Sequence, residues 1–160
     1  FIFDYDGVLT EGLVMLTEKG EPLRTANVRD GYALQLAMKK GYRIAVISGG
    51  KSNSVLNRLT SLGITDVFLG VEHKMVVFDR YLYHNNIDPA QVLYMGDDIP
   101  DFHVMKKAGV AACPADAAEE IRSISDYISH FDGGRGCVRD IIEQVMKLQK
   151  NWMNDDAFKW

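Results

Sequence analysis

The chain has 160 residues, of which 47% are hydrophobic and 25% charged. That is the make-up of one folded domain, able to bury about 68–70% of its extended surface, and it excludes wholesale disorder. Eighteen basic against 22 acidic side chains (net charge −4) exclude the basic, clustered footprint of a nucleic-acid binder, and two cysteines, Cys113 and Cys137, exclude a disulfide scaffold. No apolar run approaches the roughly 20 residues that cross a membrane. Phe1-Ile2-Phe3 reads as the end of a strand; because the chain opens inside this pattern without a methionine, a residue or two is expected upstream.

Downstream, Leu13 to Leu16 and Leu23 to Val28 flank Glu18-Lys19-Gly20-Glu21, a hairpin pattern. Residues 31–40 carry a helical stripe that stops at Lys39-Lys40-Gly41. Arg43 to Ile47 predicts a strand, Ser54 to Leu62 a helix closed by Gly63, Val67 to Leu69 a strand and Lys74 to Asn86 a helix. Val92 to Met95 predicts a strand opening into Gly96-Asp97-Asp98, and Phe102 to Lys107 a helix closed by Gly109. Val110 to Ala112, Ala117 to Ile124, Tyr127-Ile128 and Val138 to Leu148 continue the alternation. Strands separated by helices need crossovers, so the fold class is α/β: a doubly wound, mostly parallel sheet with helices on both faces and a projecting hairpin after the first strand. Residues 1–150 form the domain, and 151–160 read as a loosely held tail whose Trp152 and Trp160 either dock on a neighbouring surface or belong to a frayed terminus.

In open α/β sheets ligands bind outside the carboxyl ends of the strands. The unusual polar residues fall there. Asp4 and Asp6 follow the first strand, Ser48 follows Arg43 to Ile47, and Asp97-Asp98 follow Val92 to Met95. At about 3.3 Å per residue, Asp4 and Asp6 start on one face roughly 6.6 Å apart. Such a pair can divide its work, one carboxylate attacking or binding metal and the other trading protons. Asp97 adds an oxygen from a neighbouring strand end, and clustered carboxylates favour a hard cation such as Mg²⁺. Ser48 in Ile47-Ser48-Gly49-Gly50, with free backbone amides beside it, suits a phosphoryl oxygen, although the same residues also make a plain turn. Lys74 in the first turn of its helix opposes the helix dipole, which suggests a second task. Asp101 is placed to pair with Lys74, to complete a metal's outer shell, or simply to cap a helix.

Asp4-Tyr5-Asp6-Gly7-Val8-Leu9-Thr10, then Ser48-Gly49, Lys74, and Gly96-Asp97-Asp98 with Asp101, resemble the four ordered motifs of the haloacid dehalogenase-like phosphatases. Within them the chain resembles the capless 3-deoxy-D-manno-octulosonate 8-phosphate phosphatases, through Asp6 to Gly12, Asn27-Val28-Arg29-Asp30-Gly31-Tyr32, Leu62 to Thr65, and Gly133-Gly134-Arg135-Gly136 with Val138-Arg139. The resemblance implies Asp4 as the nucleophile that forms an aspartyl-phosphate, and Asp6 as the acid that protonates the leaving oxygen and then activates water. It implies Mg²⁺ held by Asp4, the backbone carbonyl of Asp6 and Asp97. Ser48 and Lys74 would grip the phosphoryl group, with Asp101 orienting Lys74. Asn27, Arg29, Asp30, Gly49, Lys51 and Arg135 join Ser48 and Lys74 as expected substrate contacts. Relatives often carry arginine or glutamate at the position of Gly50, so either Lys51 supplies a substitute charge or the selectivity for the sugar acid differs. A homotetramer is also implied, with a neighbour's hairpin, tail or Arg135 closing the site, together with a cytoplasmic setting and no nucleic-acid or membrane partner. The alternatives are a nonulosonate (sialic-acid-type) 9-phosphate phosphatase, a receiver-like phosphoacceptor domain and a non-catalytic assembly domain. A receiver has no need of an acid at Asp6.

Overall fold

The structure, a computed structural model, describes residues 1–18, 20 and 22–159. Six strands among them are β1 Ile2–Phe3, β2 Ala45–Ile47, β3 Asp66–Phe68, β4 Leu93–Met95, β5 Val110–Cys113 and β6 Tyr127–Ile128. They form one all-parallel sheet in the order β3-β2-β1-β4-β5-β6. The helices are α1 Val28–Lys39, α2 Asn53–Ser61, α3 Lys74–Asn85, α4 Phe102–Lys107, α5 Glu119–Arg122 and α6 Cys137–Leu148.

Strand residues alternate between two cores, as the two-residue period of a strand requires. Phe3, Val46 and Met95 face a layer containing Leu34 and Ala37 of α1, Leu59 of α2 and Ile141 of α6. Ile2, Ala45, Ile47 and Tyr94 face Phe78 of α3, Val104 of α4 and Ile121 of α5. Both faces are covered, so the strands read as unbroken apolar runs. The order reverses at β1, which lies between β2 and β4, and the loops after β1 and β4 open a crevice at this switch point.

Two expectations change. The hairpin reduces to a single antiparallel bridge, Met15 with Leu23, and Lys19 and Glu21 of its turn lie outside the described residues. The expected second strand does not reach Val28, because Asn27 caps α1 there, its side chain accepting from the Arg29 N–H at 2.8 Å. The second change concerns the tail. Trp152 is buried against Tyr32 of α1, the Tyr32 hydroxyl donates to the Ala157 carbonyl, and Lys40 pairs with Asp156. Residues 151–159 thus pack on α1 rather than hang loose, because the large indole finds an aromatic partner and the Arg139 guanidinium stands over its ring. Trp160 lies outside the described residues.

Candidate active site

Asp4 leaves β1 with its N–H bonded to the Met95 carbonyl at 2.9 Å, which ties the loop after β1 to the end of β4. Gly7 turns this loop at φ +85°, and a Cβ there would lie 2.0 Å from Asp97 Oδ2. Only glycine lets the two loops close on each other. The result is a cavity of about 410 Å³ lined by Asp4, Asp6, Ser48, Lys74, Asp97 and Asp101, among others. A larger hollow of about 490 Å³, lined by Arg29, Arg135, Arg139, Asp140 and Glu143 among others, shares no residue with it and lies away from the strand ends β1, β2 and β4.

Lys74 lies at the centre of the smaller cavity. Its ammonium, 7% exposed as a residue, stands 2.9 Å from Asp4 Oδ1 and 2.7 Å from Asp101 Oδ1. The helix it opens has no side-chain cap at His73, so the dipole conflict is real and two carboxylates offset it. Burial alone would lower the lysine's pKa, but the Asp4 and Asp101 charges outweigh burial and raise it, so Lys74 stays cationic. Asp101 caps no helix; its Oδ1 also accepts from the Tyr94 hydroxyl at 2.5 Å. Tyr94 escapes sequence reasoning because it sits inside an apolar run, although a buried tyrosine hydroxyl always needs a partner.

Burial raises the Asp4 carboxyl to about 6, helped by Asp101 and opposed by Lys74. Asp97 is pushed to about 8 by burial first, then by the Asp4 and Asp101 charges. Asp4, Asp97 and Asp101 each place a carboxylate oxygen within 4.8 Å of the others, and Asp101 Oδ2 is buried with no hydrogen-bond partner. Crowded oxygens with one lysine among them fit a hard divalent cation. Asp98 is exposed at the cavity wall and accepts from the Ile99 N–H, outside the Asp4–Asp97–Asp101 cluster.

Both raised carboxyls lie above their ordinary value of 3.8, so the unfolded chain sheds these protons first as pH rises. The metal-free fold therefore loses stability from about pH 4 towards about pH 8. A bound cation removes the repulsion, so the rise in melting temperature caused by Mg²⁺ over EDTA should be larger at about pH 8 than at about pH 5.5. Asp97→Ala should abolish most of that rise. An increment indifferent to both pH and Asp97 would count against a metal here.

The other expected site residues divide. Ser48, 2% exposed, lines the cavity and its Oγ accepts from the Gly50 N–H at 3.2 Å; Gly49 lines it too. Asp6 lines the cavity with Asp4, but its carboxylate is clasped by Arg24, Nε to Oδ1 at 2.5 Å and Nη2 to Oδ2 at 2.9 Å. Arg24 carried no sequence signal, since its partner is 18 residues away across an irregular loop. Lys51 does not line this cavity: its stem lies along Gly70 and it lines a separate hollow with Leu23 and Ser52. Asp30 is 1% exposed and accepts from the Arg139 N–H at 2.7 Å, joining α1 to α6, where burial raises it to about 6. Asn27 caps α1 and donates to the Gly134 carbonyl. Arg29 and Arg135 line the larger hollow, and Arg135 pairs with Glu11 at 2.8 Å. Within one chain, then, Asn27, Arg29, Asp30, Lys51 and Arg135 stay out of the cavity.

A buried carboxylate at a strand end, a buried lysine paired with it and a cluster of acids that fits a cation, at the switch point of a doubly wound sheet, define a class. The family model of the haloacid dehalogenase-like hydrolases matches residues 31–115, and the chain belongs to that family. Its relatives include the 3-deoxy-D-manno-octulosonate 8-phosphate phosphatase of Salmonella typhi, 38% identical over 148 residues, covering 92% of this chain and 79% of that protein. The crystal structure of the same phosphatase from Yersinia pestis superposes with a TM-score of 0.92 at 33% identity, covering 94% of this chain and 81% of that one. The phosphatase from Moraxella catarrhalis, solved with magnesium ion, phosphate ion and KDO, matches at TM-score 0.92 and 32% identity, covering 94% and 87%.

Proposed function

We propose that this chain is a phosphomonoester hydrolase acting on 3-deoxy-D-manno-octulosonate 8-phosphate. The carrying observation is the line Asp4–Lys74–Asp101, in which a buried cation bridges the carboxylate at a strand end and the acid that fixes the lysine. The relatives' substrate selects the sugar acid.

An Asp4 oxygen attacks phosphorus, the bond from phosphorus to the sugar oxygen breaks, and Asp6 passes its proton to that oxygen. Water then attacks the aspartyl-phosphate while Asp6 takes its proton, and inorganic phosphate leaves. Dividing one displacement into two lowers each barrier. Lys74 and Ser48 meet the phosphoryl oxygens where charge spreads. Asp4 and Asp97, with the Asp6 backbone carbonyl, would hold Mg²⁺, which supplies charge neutralisation when bound.

The enzyme is a cytoplasmic homotetramer in this reading. Among the described residues no helix is long and apolar enough to cross a membrane. Leu13, Met15 and Leu16 are 75%, 68% and 85% exposed, an apolar ribbon suited to burial against a neighbouring subunit. A single experiment tests both statements. Phosphate release is measured over a panel of octulosonate 8-phosphate, nonulosonate 9-phosphates and simple hexose phosphates, with Mg²⁺ or EDTA, on size-fractionated protein. Preference for the octulosonate ester in the tetramer fraction is expected. Equal rates across the panel overturn the substrate, and full activity in a monomer overturns the assembly.

A further inference from the structure

Arg24 stands apart from the machinery described so far. Its side chain is only 9% exposed although it belongs to an irregular loop. One edge of its guanidinium is used on Asp6, while Nη1 is buried without any hydrogen-bond partner. It has room because residue 50 is glycine. A Cβ there would lie 2.9 Å from Asp6 Oδ2, 3.1 Å from Arg24 Nη2 and 3.6 Å from Ser48 Oγ. The guanidinium therefore occupies the space left by Gly50, directly behind Asp6, Ser48 and Gly50, which line the cavity.

Two features of this pair conflict with a purely structural role. A buried donor left unpaired is unfavourable unless another partner arrives. The fork also holds Asp6 as an acceptor, whereas Asp6 must face the leaving oxygen and deliver a proton. Whatever separates the two groups has to offer the guanidinium a replacement anion. Lys74 and Ser48 already serve the phosphoryl group, and a planar five-donor fork matches a planar carboxylate.

We propose that Arg24 is the substrate-recognition residue for the carboxylate of the sugar acid, and that this carboxylate, by taking over the fork, releases Asp6 to act. Recognition of the acid and readiness of the proton donor are thereby one event, which is binding energy directed at the reacting centre. The proposal rests on the phosphatase reading above, and the test separates the two.

Steady-state kinetics are measured with Mg²⁺ on the full chain and on Arg24→Ala and Arg24→Lys, using 3-deoxy-D-manno-octulosonate 8-phosphate and p-nitrophenyl phosphate, which has no carboxylate. Binding of the free sugar acid and of inorganic phosphate is followed by calorimetry. For Arg24→Ala, kcat/KM on the sugar-acid ester should fall at least about 100-fold, with KM taking a clear share, as expected for a lost charge-assisted fork. On p-nitrophenyl phosphate it should rise rather than fall, because in the unaltered chain no carboxylate frees Asp6 from the fork. Arg24→Lys should recover about tenfold on the sugar-acid ester, as it restores charge without the fork. The free sugar acid should bind more weakly to Arg24→Ala while phosphate binds as before. Equal loss on both esters, or weaker phosphate binding, overturns the proposal in favour of a role towards Asp6 or the phosphoryl group; no loss on either overturns it outright. If Arg24→Ala does not fold, Arg24→Gln carries the same arms. An unaltered chain inactive on the octulosonate ester would instead remove the phosphatase reading before any variant is compared.

Discussion

Asp4→Asn should leave no measurable turnover and no phosphorylated protein. An amide oxygen is a far poorer nucleophile than a carboxylate, and no other carboxylate stands in for it. Asp6 is turned towards Arg24, Asp101 Oδ1 is occupied by Lys74 and Tyr94, and Asp97 packs against Gly7. The fold should survive, since asparagine keeps the shape and removes a buried charge whose pKa is raised by burial first and by the Asp101 charge second. The measurement is a rapid quench with labelled substrate followed by intact-protein mass. Asp6→Asn is the contrast. It should still accept the phosphoryl group, slowly, and lose about 10²–10⁴-fold in turnover through absent proton transfer. Phosphorylation of Asp4→Asn at a normal rate would transfer the nucleophile's role elsewhere.

Lys74→Ala should be damaging in two ways. Removing the ammonium strands Asp4 and Asp101 in a buried site, a loss of about 3–5 kcal/mol when one partner of a buried pair is deleted. Part of that loss is recoverable by protonating a carboxylate, so the variant should be more stable at low pH than at high. Turnover should fall by about 10³-fold, because the charge spreading over the phosphoryl oxygens loses its nearest donor. Lys74 also holds the Asp4 pKa down. Without it Asp4 ionises at higher pH, so residual activity should rise with pH beyond the point where the unaltered enzyme levels off. Thermal melts and a pH–rate profile check both signs. A variant of normal stability with a profile of unchanged shape would mean that Lys74 is not coupled to Asp4.

The candidate site was legible from residue order because its members follow strands, and parallel strands with crossovers place all their carboxyl ends on one edge. Asp4 after β1, Ser48 after β2 and Asp97 after β4 needed only that rule. Lys74 was visible as a cation in the wrong turn of a helix. Long-range partners were not legible in the same way. Asn27, Arg29 and Asp30 stand together in the chain, and within it Asn27 caps a helix, Arg29 borders a different hollow and Asp30 is buried against α6. Trp152 is odd for a free tail, but only the packed chain shows that it meets Tyr32 and Arg139.

The sequence by itself determined the layered parallel fold, the switch point and the set of acids around one lysine. These depend on apolar periodicity and on which residue follows which strand, both local properties of the chain. Tertiary structure alone decided how the charges pair. Asp6 lies two residues from Asp4 but is clasped by Arg24, and Lys74 reaches Asp101 from 27 residues away. Such pairing is set by which side chains the packed loops bring within about 3 Å, in a medium where a buried charge must find its opposite. Spacing along the chain carries no record of that choice.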